Sequence, residues 1–415
     1  MDNIEVPEYF ICPISLQIMK DPVTAISGIT YDRESIEHWL FKNHNTICPV
    51  SKQALPRDSD LTPNHTLRRL IKAWCTVNAS CMIDQIPTPK PTRDKFYMIN
   101  LIRDLCVPVL KIQTLQKLEA LALEHDRNRV YMVEAGLGAV LVSFIISCYK
   151  TGETNGLEEA LGLFYNVRKL LSQSKGNLTE KDEIFESLVW VLENPVFQEN
   201  SAVKSHAAYA VKIAVQKTSP GMLERLKPEF FGNLVSNLRQ ARVCQQGTTA
   251  LLHALLDSCP WGRNRVIMVE SGAVSGLIDV ELRNTDKKTT ELVLGILCHL
   301  CSSADGRAQL LNHALGVVVV TRRILKVSPA VDDRAVTIIW QICRYSGTNG
   351  VIQELVRAGM VPKLCLVMQA DGEAHTKDKV REILRTHYDV WKEAPSVEVA
   401  VLMRYTQGAG SFRGK

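Results

Sequence analysis

The sequence predicts a mostly α-helical chain, with a small ββα module at the N-terminus and a long helical-repeat array behind it. Three observations predict this. Residues 5–79 are dense in turn signals and short apolar runs. From about residue 96 to 404, apolar residues recur at three- and four-residue spacing with glycines as punctuation, the pattern of packed amphipathic helices. That second stretch also repeats itself.

The repeats are visible by eye. Arg127-Asn128-Arg129-Val130 leads into Met132-Val133-Glu134-Ala135-Gly136, and Arg263-Asn264-Arg265-Val266 leads into Met268-Val269-Glu270-Ser271-Gly272. The two glycines lie 136 residues apart, close to three periods of about 45. A third copy stands at Val356-Arg357-Ala358-Gly359-Met360-Val361-Pro362, and a weaker one near Leu310-Leu311-Asn312-His313-Ala314. A period in the forties marks armadillo or HEAT arrays, in which stacked helix groups bury one continuous core. The glycine suits a tight interhelical turn, where positive φ is inexpensive only without a Cβ. The body is therefore read as an armadillo-type α-solenoid of roughly six to seven repeats. Between residues 145 and 245 the repeats are poorly marked, and Ser172–Lys181 reads as an insertion.

Between the two parts, Ile86-Pro87-Thr88-Pro89-Lys90-Pro91-Thr92 places proline at every second position. Such a run favours extended polyproline geometry, so residues 80–95 read as a semi-rigid linker. Residues 405–415, rich in glycine, read as a loose tail.

Local chemistry outlines the first module. Pro22–Ile26 and Ile29–Tyr31 are β-prone runs joined by Ser27-Gly28, which predicts a hairpin. Asp32 suits the N-cap of a helix carrying Ile36, Trp39 and Leu40 on one face, with Glu34 near its positive end and a stop at Asn43-His44-Asn45. Asn64 suits the cap of a second helix whose Leu67, Leu70, Ile71 and Trp74 share a face.

Composition narrows the function. The balance of 49 Lys and Arg against 44 Asp and Glu is a diffuse +5, which does not point to nucleic acid. No apolar run reaches the roughly 18 residues of a membrane span. Met1-Asp2-Asn3-Ile4-Glu5 lacks the basic-then-apolar pattern of a secretory signal. Twelve cysteines are then expected to be reduced thiols in a cytoplasmic or nuclear setting. Cys106, Cys148 and Cys343 sit in helical apolar patterns and read as core.

Two short sequences matter as a pair: Cys12-Pro13-Ile14-Ser15 before the hairpin and Cys48-Pro49-Val50-Ser51 after the first helix. A zinc-binding RING needs Cys-x-x-Cys at both places, because tetrahedral zinc takes four thiolate or imidazole ligands. Here each second cysteine is serine, and Ser27 to His38 contains a histidine but no cysteine. Two cysteines cannot hold two zinc ions, so no metal and no other cofactor is expected. Cys12, in an apolar run without a neighbouring histidine or cation to lower its pKa, reads as structural.

Phe10-Ile11-Cys12-Pro13-Ile14-Ser15-Leu16, Met19-Lys20-Asp21-Pro22-Val23, Gly28-Ile29-Thr30-Tyr31-Asp32-Arg33 and Leu61-Thr62-Pro63-Asn64-His65-Thr66-Leu67-Arg68 together resemble a U-box, the zinc-free relative of the RING. With the helical array behind it, the chain resembles the plant U-box E3 ubiquitin-protein ligases with armadillo repeats. The resemblance implies a ligase without a nucleophile of its own. A ubiquitin-charged conjugating enzyme docks on the U-box, and its thioester is held for direct attack by a substrate lysine, so catalysis is by proximity and orientation. The implied docking positions are Ile14 and Leu16 in the first loop, Trp39 on the helix, and Pro49, Val50 and Lys52 in the second loop. Family members commonly carry arginine at the position of Lys52, whose fork lysine cannot copy. Cys12, Pro13, Asp21, Pro22, Gly28, Tyr31, Asp32, Pro63, Asn64 and Leu67 fall on motif positions that hold the frame. The resemblance further implies a protein substrate on the armadillo groove, its marking for degradation, plant stress or immune signalling, and pairing of U-boxes into a homo-oligomer.

Other readings are weaker. An importin-like groove needs repeated Trp-x-x-x-Asn, and only Trp190…Asn194 fits, directly before Pro195. Trp340 has Arg344 at the fourth place. Gly136-Leu137-Gly138 lies within a helical repeat and lacks the strand a dinucleotide loop needs. Cys298, His299 and Cys301 lie among leucines and read as core. A non-catalytic armadillo scaffold with a degenerate U-box is the alternative.

Overall fold

The computed structural model describes residues 6–42, 45–56, 59–77, 95–105, 107, 110–174, 178, 182–283 and 286–392. The proposed linker and tail lie outside the described residues, save Lys95. The chain forms two compact units, residues 1–137 and 138–415.

In the first unit, strands β1 (Pro22–Thr24) and β2 (Thr30–Asp32) pair antiparallel with Val23 opposite Tyr31, and Gly28 turns the hairpin at φ +78°. A third strand, β3 (Thr62–Pro63), pairs with the other edge of β1. Two residues show no alternation, so the sequence carried no sign of β3. Helix α1 (Arg33–Glu37) runs on through a wider turn, His38–Lys42, and α2 (His65–Val77) closes the module.

The two expected caps behave differently. Asn64 caps α2, its Oδ1 accepting from the Leu67 N–H at 3.0 Å. Asp32 occupies the N-cap position of α1, but its side chain makes no cap bond. Its Oδ1 instead accepts from the backbone N–H groups of Lys20 and Asp21, at 2.7 and 2.8 Å. The carboxylate ties the first loop to the hairpin, a long-range use that cap preference does not reveal. On α1 and its extension, Ile36 and Leu40 are fully buried and Trp39 half-buried; on α2, Ile71 is buried while Leu70 is exposed, contrary to its helical phase.

Helices α3 (Lys95–Asp104), α4 (Lys111–Glu124) and α5 (Asp126–Glu134) complete the first unit, α3 and α4 each packing on α5.

The second unit is a two-layered array. One layer stacks α6 (Leu137–Thr151), α8 (Glu183–Glu193), α11 (Pro228–Arg239), α14 (Ala273–Arg283), α17 (Gly316–Arg323) and α20 (Met360–Gln369). The other stacks α7 (Leu157–Gln173), α9 (Ser201–Gln216), α12 (Gln245–Ser258), α15 (Lys287–Leu300), α18 (Pro329–Ser346) and α21 (Ala374–Thr386), each packed on the next. Short helices α10 (Pro220–Leu223), α13 (Gly262–Glu270), α16 (Ala304–Asn312) and α19 (Asn349–Arg357) introduce the later repeats, and α22 (Tyr388–Trp391) ends the array. The repeat built on α8 and α9 has no short helix among its described residues, which explains why the sequence marks it poorly.

The repeated motif now has a cause. Gly136, Gly272 and Gly359 turn the chain between helices at φ +86°, +77° and +72°. The Arg-Asn-Arg runs secure the carbonyl ends of preceding helices. Asn264 donates to Leu223 O at 2.8 Å, Arg263 to Glu224 O and Leu226 O, and Arg265 to Cys259 O. Asn128 donates to Leu121 O and Arg129 to Ala122 O. Helix C-termini leave unpaired carbonyls, and these side chains supply the missing donors. The weak copy at Leu310–Ala314 turns through His313 without positive φ, and Gly316 is needed instead because a Cβ there would sit 2.0 Å from Leu310 O.

Candidate functional site

Two loops of the first module share one backbone design. Cys12 N–H donates to Gln17 O and Leu16 N–H to Cys12 O; Cys48 N–H donates to Gln53 O and Lys52 N–H to Cys48 O, all between 2.8 and 3.1 Å. Isolated antiparallel bridges, Ile11 to Ile18 and Ile47 to Ala54, close the two loops. Leu16 and Lys52 take the same left-handed conformation, φ +56° and +60°. Side chains other than glycine rarely adopt it, at about 1–2 kcal/mol per residue.

Each loop turns around a buried sulfur. Cys12 Sγ accepts from the Asp32 N–H at 3.2 Å, and from Ser15 and the Ile14 N–H. Cys48 Sγ accepts from the Tyr31 hydroxyl at 2.9 Å, the Ser27 hydroxyl at 3.3 Å and the Ser51 N–H at 3.4 Å. The serines that stand where a RING has its second cysteines therefore donate to the first ones. Among the described residues no group of three or more His, Cys, Asp or Glu is placed to hold a metal ion.

The donors act on charge. Burial opposes the Cys48 thiolate, but the hydroxyls of Ser27, Ser51 and Tyr31 outweigh it and bring the thiol down to about 6. Burial and the neighbouring sulfur push the Tyr31 hydroxyl up, so it remains the donor. At Cys12 burial raises the thiol and backbone donors at Ser15, Asp32 and Ile14 more than offset it. No histidine or cation acts on Cys12; the lowering comes from backbone N–H groups and the Ser15 hydroxyl, donors that a search for charged neighbours does not reveal. Burial still keeps the sulfur inert: Cys12 and Cys48 are both fully shielded.

Arg33 and Glu37 complete the frame and were not singled out in the sequence. Arg33 Nε meets Asp21 Oδ2 at 2.6 Å, and its guanidinium lies 3.7 Å from buried Glu37. Burial raises the Glu37 carboxyl, countered first by Arg33 and then by His125 and Arg127 near α5. An Asp-Arg-Glu set spread over twelve or more residues has no local sequence pattern. Pro22 and Tyr31 are buried, Leu67 packs half-buried on the core, and Pro13, Gly28 and Pro63 lie at the surface.

The six predicted docking residues divide by exposure. Leu16 is 77% exposed, Val50 49%, and Lys52 is exposed, whereas Ile14, Pro49 and Trp39 are half-buried. The outward residue of the first loop is therefore Leu16; Ile14 leans on the core. Trp39 Nε1 donates to Ile47 O at 2.9 Å, fastening the helix to the second loop. The result is an apolar surface carrying Lys52, presented by two loops that hydrogen bonds to buried sulfurs hold in place.

The loop pair and the two-layered array define the class: a RING-like module whose loop cysteines are held by hydrogen bonds, in one chain with an armadillo-type body. The comparisons place it further. The U-box domain family matches residues 6–80 and the plant U-box protein ARM repeat region matches residues 101–407. The Arabidopsis thaliana E3 ubiquitin-protein ligase PUB24 is 39% identical over 447 residues, covering 97% of this chain and 96% of that one. PUB23 of the same plant is 37% identical, covering 97% and 98%. A solved β-catenin structure, from work on its interaction with cadherin, aligns at TM-score 0.58 and 12% identity over 83% of this chain and 61% of that one, which supports the armadillo fold alone. The chain belongs to the U-box E3 ubiquitin-protein ligases with armadillo repeats.

The family assignment disposes of the importin reading, and the fold adds a reason. Trp190 lies on α8, in the layer opposite α7 and α9, and Asn194 caps the short 3-10 turn Pro195–Phe197. Of the three residues read as core, Cys301, the C-cap of α15, is fully buried, but Cys298 is half-buried and His299 is exposed, because the last turn of α15 faces outward there. No single helix among the described residues is long and apolar enough to cross a membrane.

Proposed function

We propose that the loop pair and α1 bind a ubiquitin-charged conjugating enzyme and promote direct ubiquitin transfer to a lysine of a protein held by the armadillo body. The observation that carries this reading is that two identically built loops expose Leu16 on one and Val50 and Lys52 on the other, with Trp39 fixed beside the second. Rigidity matters here. A ligase without its own nucleophile accelerates transfer only by positioning, and both tips rest on buried sulfur hubs rather than on free loop. Such a shallow surface suits weak, transient docking at the low end of interface sizes. Lys52 adds one cation, a point charge without the arginine fork.

The layer formed by α7, α9, α12, α15, α18 and α21 is the proposed substrate groove. Its outer face is polar and aromatic: Arg168 stacks 3.7 Å from the Tyr165 ring centre, and His206 stacks on Tyr165 at 4.5 Å. Burial, with Lys212 and Lys288 nearby, lowers His253 to about 4, so this histidine is uncharged at neutral pH. Degradation of the substrate, a role in plant stress or immune signalling, and pairing of U-boxes are part of the same proposal. Every described cysteine is a free thiol, which supports action in a reducing compartment such as the cytoplasm or nucleus.

The test is a reconstituted reaction of activating enzyme, a panel of conjugating enzymes, ubiquitin, ATP and this protein, with and without Val50→Arg. Ubiquitin ladders are expected with the wild type and are expected to vanish with the variant. Ladders of equal intensity from Val50→Arg would remove the docking surface from the proposal. No ladder with any conjugating enzyme would shift the function to a non-catalytic scaffold.

A further inference from the structure

A cavity of about 450 Å³ opens in the second unit between α6, α8 and the α10–α11 corner. It lies in the layer opposite the proposed substrate groove. The helix at this corner is short: α10 has four residues, where α13, α16 and α19 have nine each.

The wall is aromatic, and at the rim the carboxylates Asp182, Glu186, Glu193 and Glu229 outnumber the cations Arg225 and Lys227. Trp190 and Tyr149 meet edge to face at 6.0 Å, and Phe185 and Phe230 form a buried pair behind them at 5.5 Å. Glu186 and Glu193 flank Trp190 on α8, one turn before and one turn after, so all three share a helix face. Lys227 already rests on Glu186 at 2.5 Å. Glu193 is exposed and carries no ion pair among the described residues.

Elsewhere in this unit, surface aromatics carry their own guanidinium. Arg168 covers Tyr165 at 3.7 Å, and Arg307 and Arg344 lie over Tyr345. The closest analogue is Trp340. Arg344 lies 5.1 Å above its ring, Glu382 accepts from that guanidinium at 2.8 Å, and Trp340 Nε1 donates to the same carboxylate at 2.7 Å. Trp190 has the ring and the neighbouring carboxylates, but among the described residues no cation lies over it.

We propose that this cavity is a docking site for an arginine side chain of a partner protein, carried in a peptide segment with apolar neighbours. The guanidinium lies over Trp190 and bonds Glu193 as Arg344 does with Trp340 and Glu382, while the adjoining apolar side chains fill the space toward Phe185 and Phe230. A flat, weakly hydrated guanidinium can stack and form a fork of hydrogen bonds at once, which an ammonium cannot. The site is separate from both the U-box and the substrate groove.

The test uses the full chain labelled with 5-fluorotryptophan, whose six tryptophans give separable 19F resonances. Trp190→Phe assigns the Trp190 signal, Trp340→Phe assigns that of Trp340, and circular dichroism checks each fold. The probe is the blocked pentapeptide Gly-Leu-Arg-Leu-Gly, with its citrulline and lysine analogues. Saturable movement of the Trp190 resonance by the arginine peptide is expected, with Trp340 unmoved, at least about five-fold weaker binding of both analogues and of Glu193→Gln, and ubiquitin chain formation unchanged in Glu193→Gln. No movement at millimolar peptide, or equal binding of the citrulline peptide or by Glu193→Gln, would overturn the site. Equal binding of the lysine peptide would overturn the assignment to arginine.

Discussion

The loops around Cys12 and Cys48 are the same piece of backbone used twice, and they differ in what reaches the sulfur and in what stands at the tip. Cys12 is held mainly by backbone N–H groups, Cys48 mainly by hydroxyls of Ser27, Ser51 and Tyr31. The left-handed position holds an apolar side chain in one loop, Leu16, and a cation in the other, Lys52. The difference teaches that frame and function are separable here. The sulfur hub and the loop hydrogen bonds fix the conformation, and the strained tip residue is free to carry chemistry. Strain at such positions is retained where the side chain is needed.

The comparison breaks most severely at the hubs. Cys48→Ala strands the Tyr31 and Ser27 hydroxyls and opens a cavity, so a loss of about 2–4 kcal/mol is expected in the U-box unfolding transition. Cys12→Ala strands chiefly the Asp32 N–H and is expected to cost less, about 1–3 kcal/mol. Urea titrations followed by tryptophan fluorescence measure both, and a larger loss at Cys12 would reverse the ranking of the hubs. Next come the tips. Leu16→Gly and Lys52→Gly relieve positive-φ strain, so stability is expected to stay within about 1 kcal/mol of wild type. Ubiquitin transfer is expected to fall at least about ten-fold for Leu16→Gly and less for Lys52→Gly. Retained transfer with Leu16→Gly would mean that the tip side chain is not what the conjugating enzyme contacts.

A pH series sharpens the contrast further. The Cys48 thiol titrates near 6 in the folded protein against 9.0 for the ordinary group. A depressed folded value means stabilisation that is complete above the ordinary value and lost as pH falls through the folded one. U-box stability is therefore expected to rise from about pH 6 to about pH 9, and Cys48→Ser to flatten most of that rise. An unchanged slope in the variant would assign the rise to another group. The smallest expected effect is none: zinc chelators are expected to leave ubiquitin transfer untouched, and loss of activity with chelator would contradict the hydrogen-bonded hubs.

Much of this architecture was legible in the chain. Serine in place of the second cysteine of each Cys-x-x-Cys ruled out zinc, because the ligand count is a property of residue type. The glycines at 136, 272 and 359 marked interhelical turns, because positive φ is a local demand that few residues meet. Asn64 was found as a cap because capping acts over three residues. Asp32 was read as a cap for the same reason, and its use as a tie to Lys20 and Asp21 escaped because those partners come from another loop. Leu70 has the phase of a core residue on α2, yet it is exposed, since helical phase says nothing about how far the neighbouring core extends.

The sequence by itself determined the U-box motifs, the helical repeat and the lack of a second cysteine in either Cys-x-x-Ser motif, all of which follow from residue type at short spacing. Tertiary structure alone decided that Leu16 points out while Ile14 leans in, that the Arg33, Asp21 and Glu37 charges meet, and that Trp190 lines a cavity with residues of α10 and α11. The physical reason is range. Backbone conformation and capping act within a few residues, whereas burial, ion pairing and cavities depend on which distant surfaces the fold brings together.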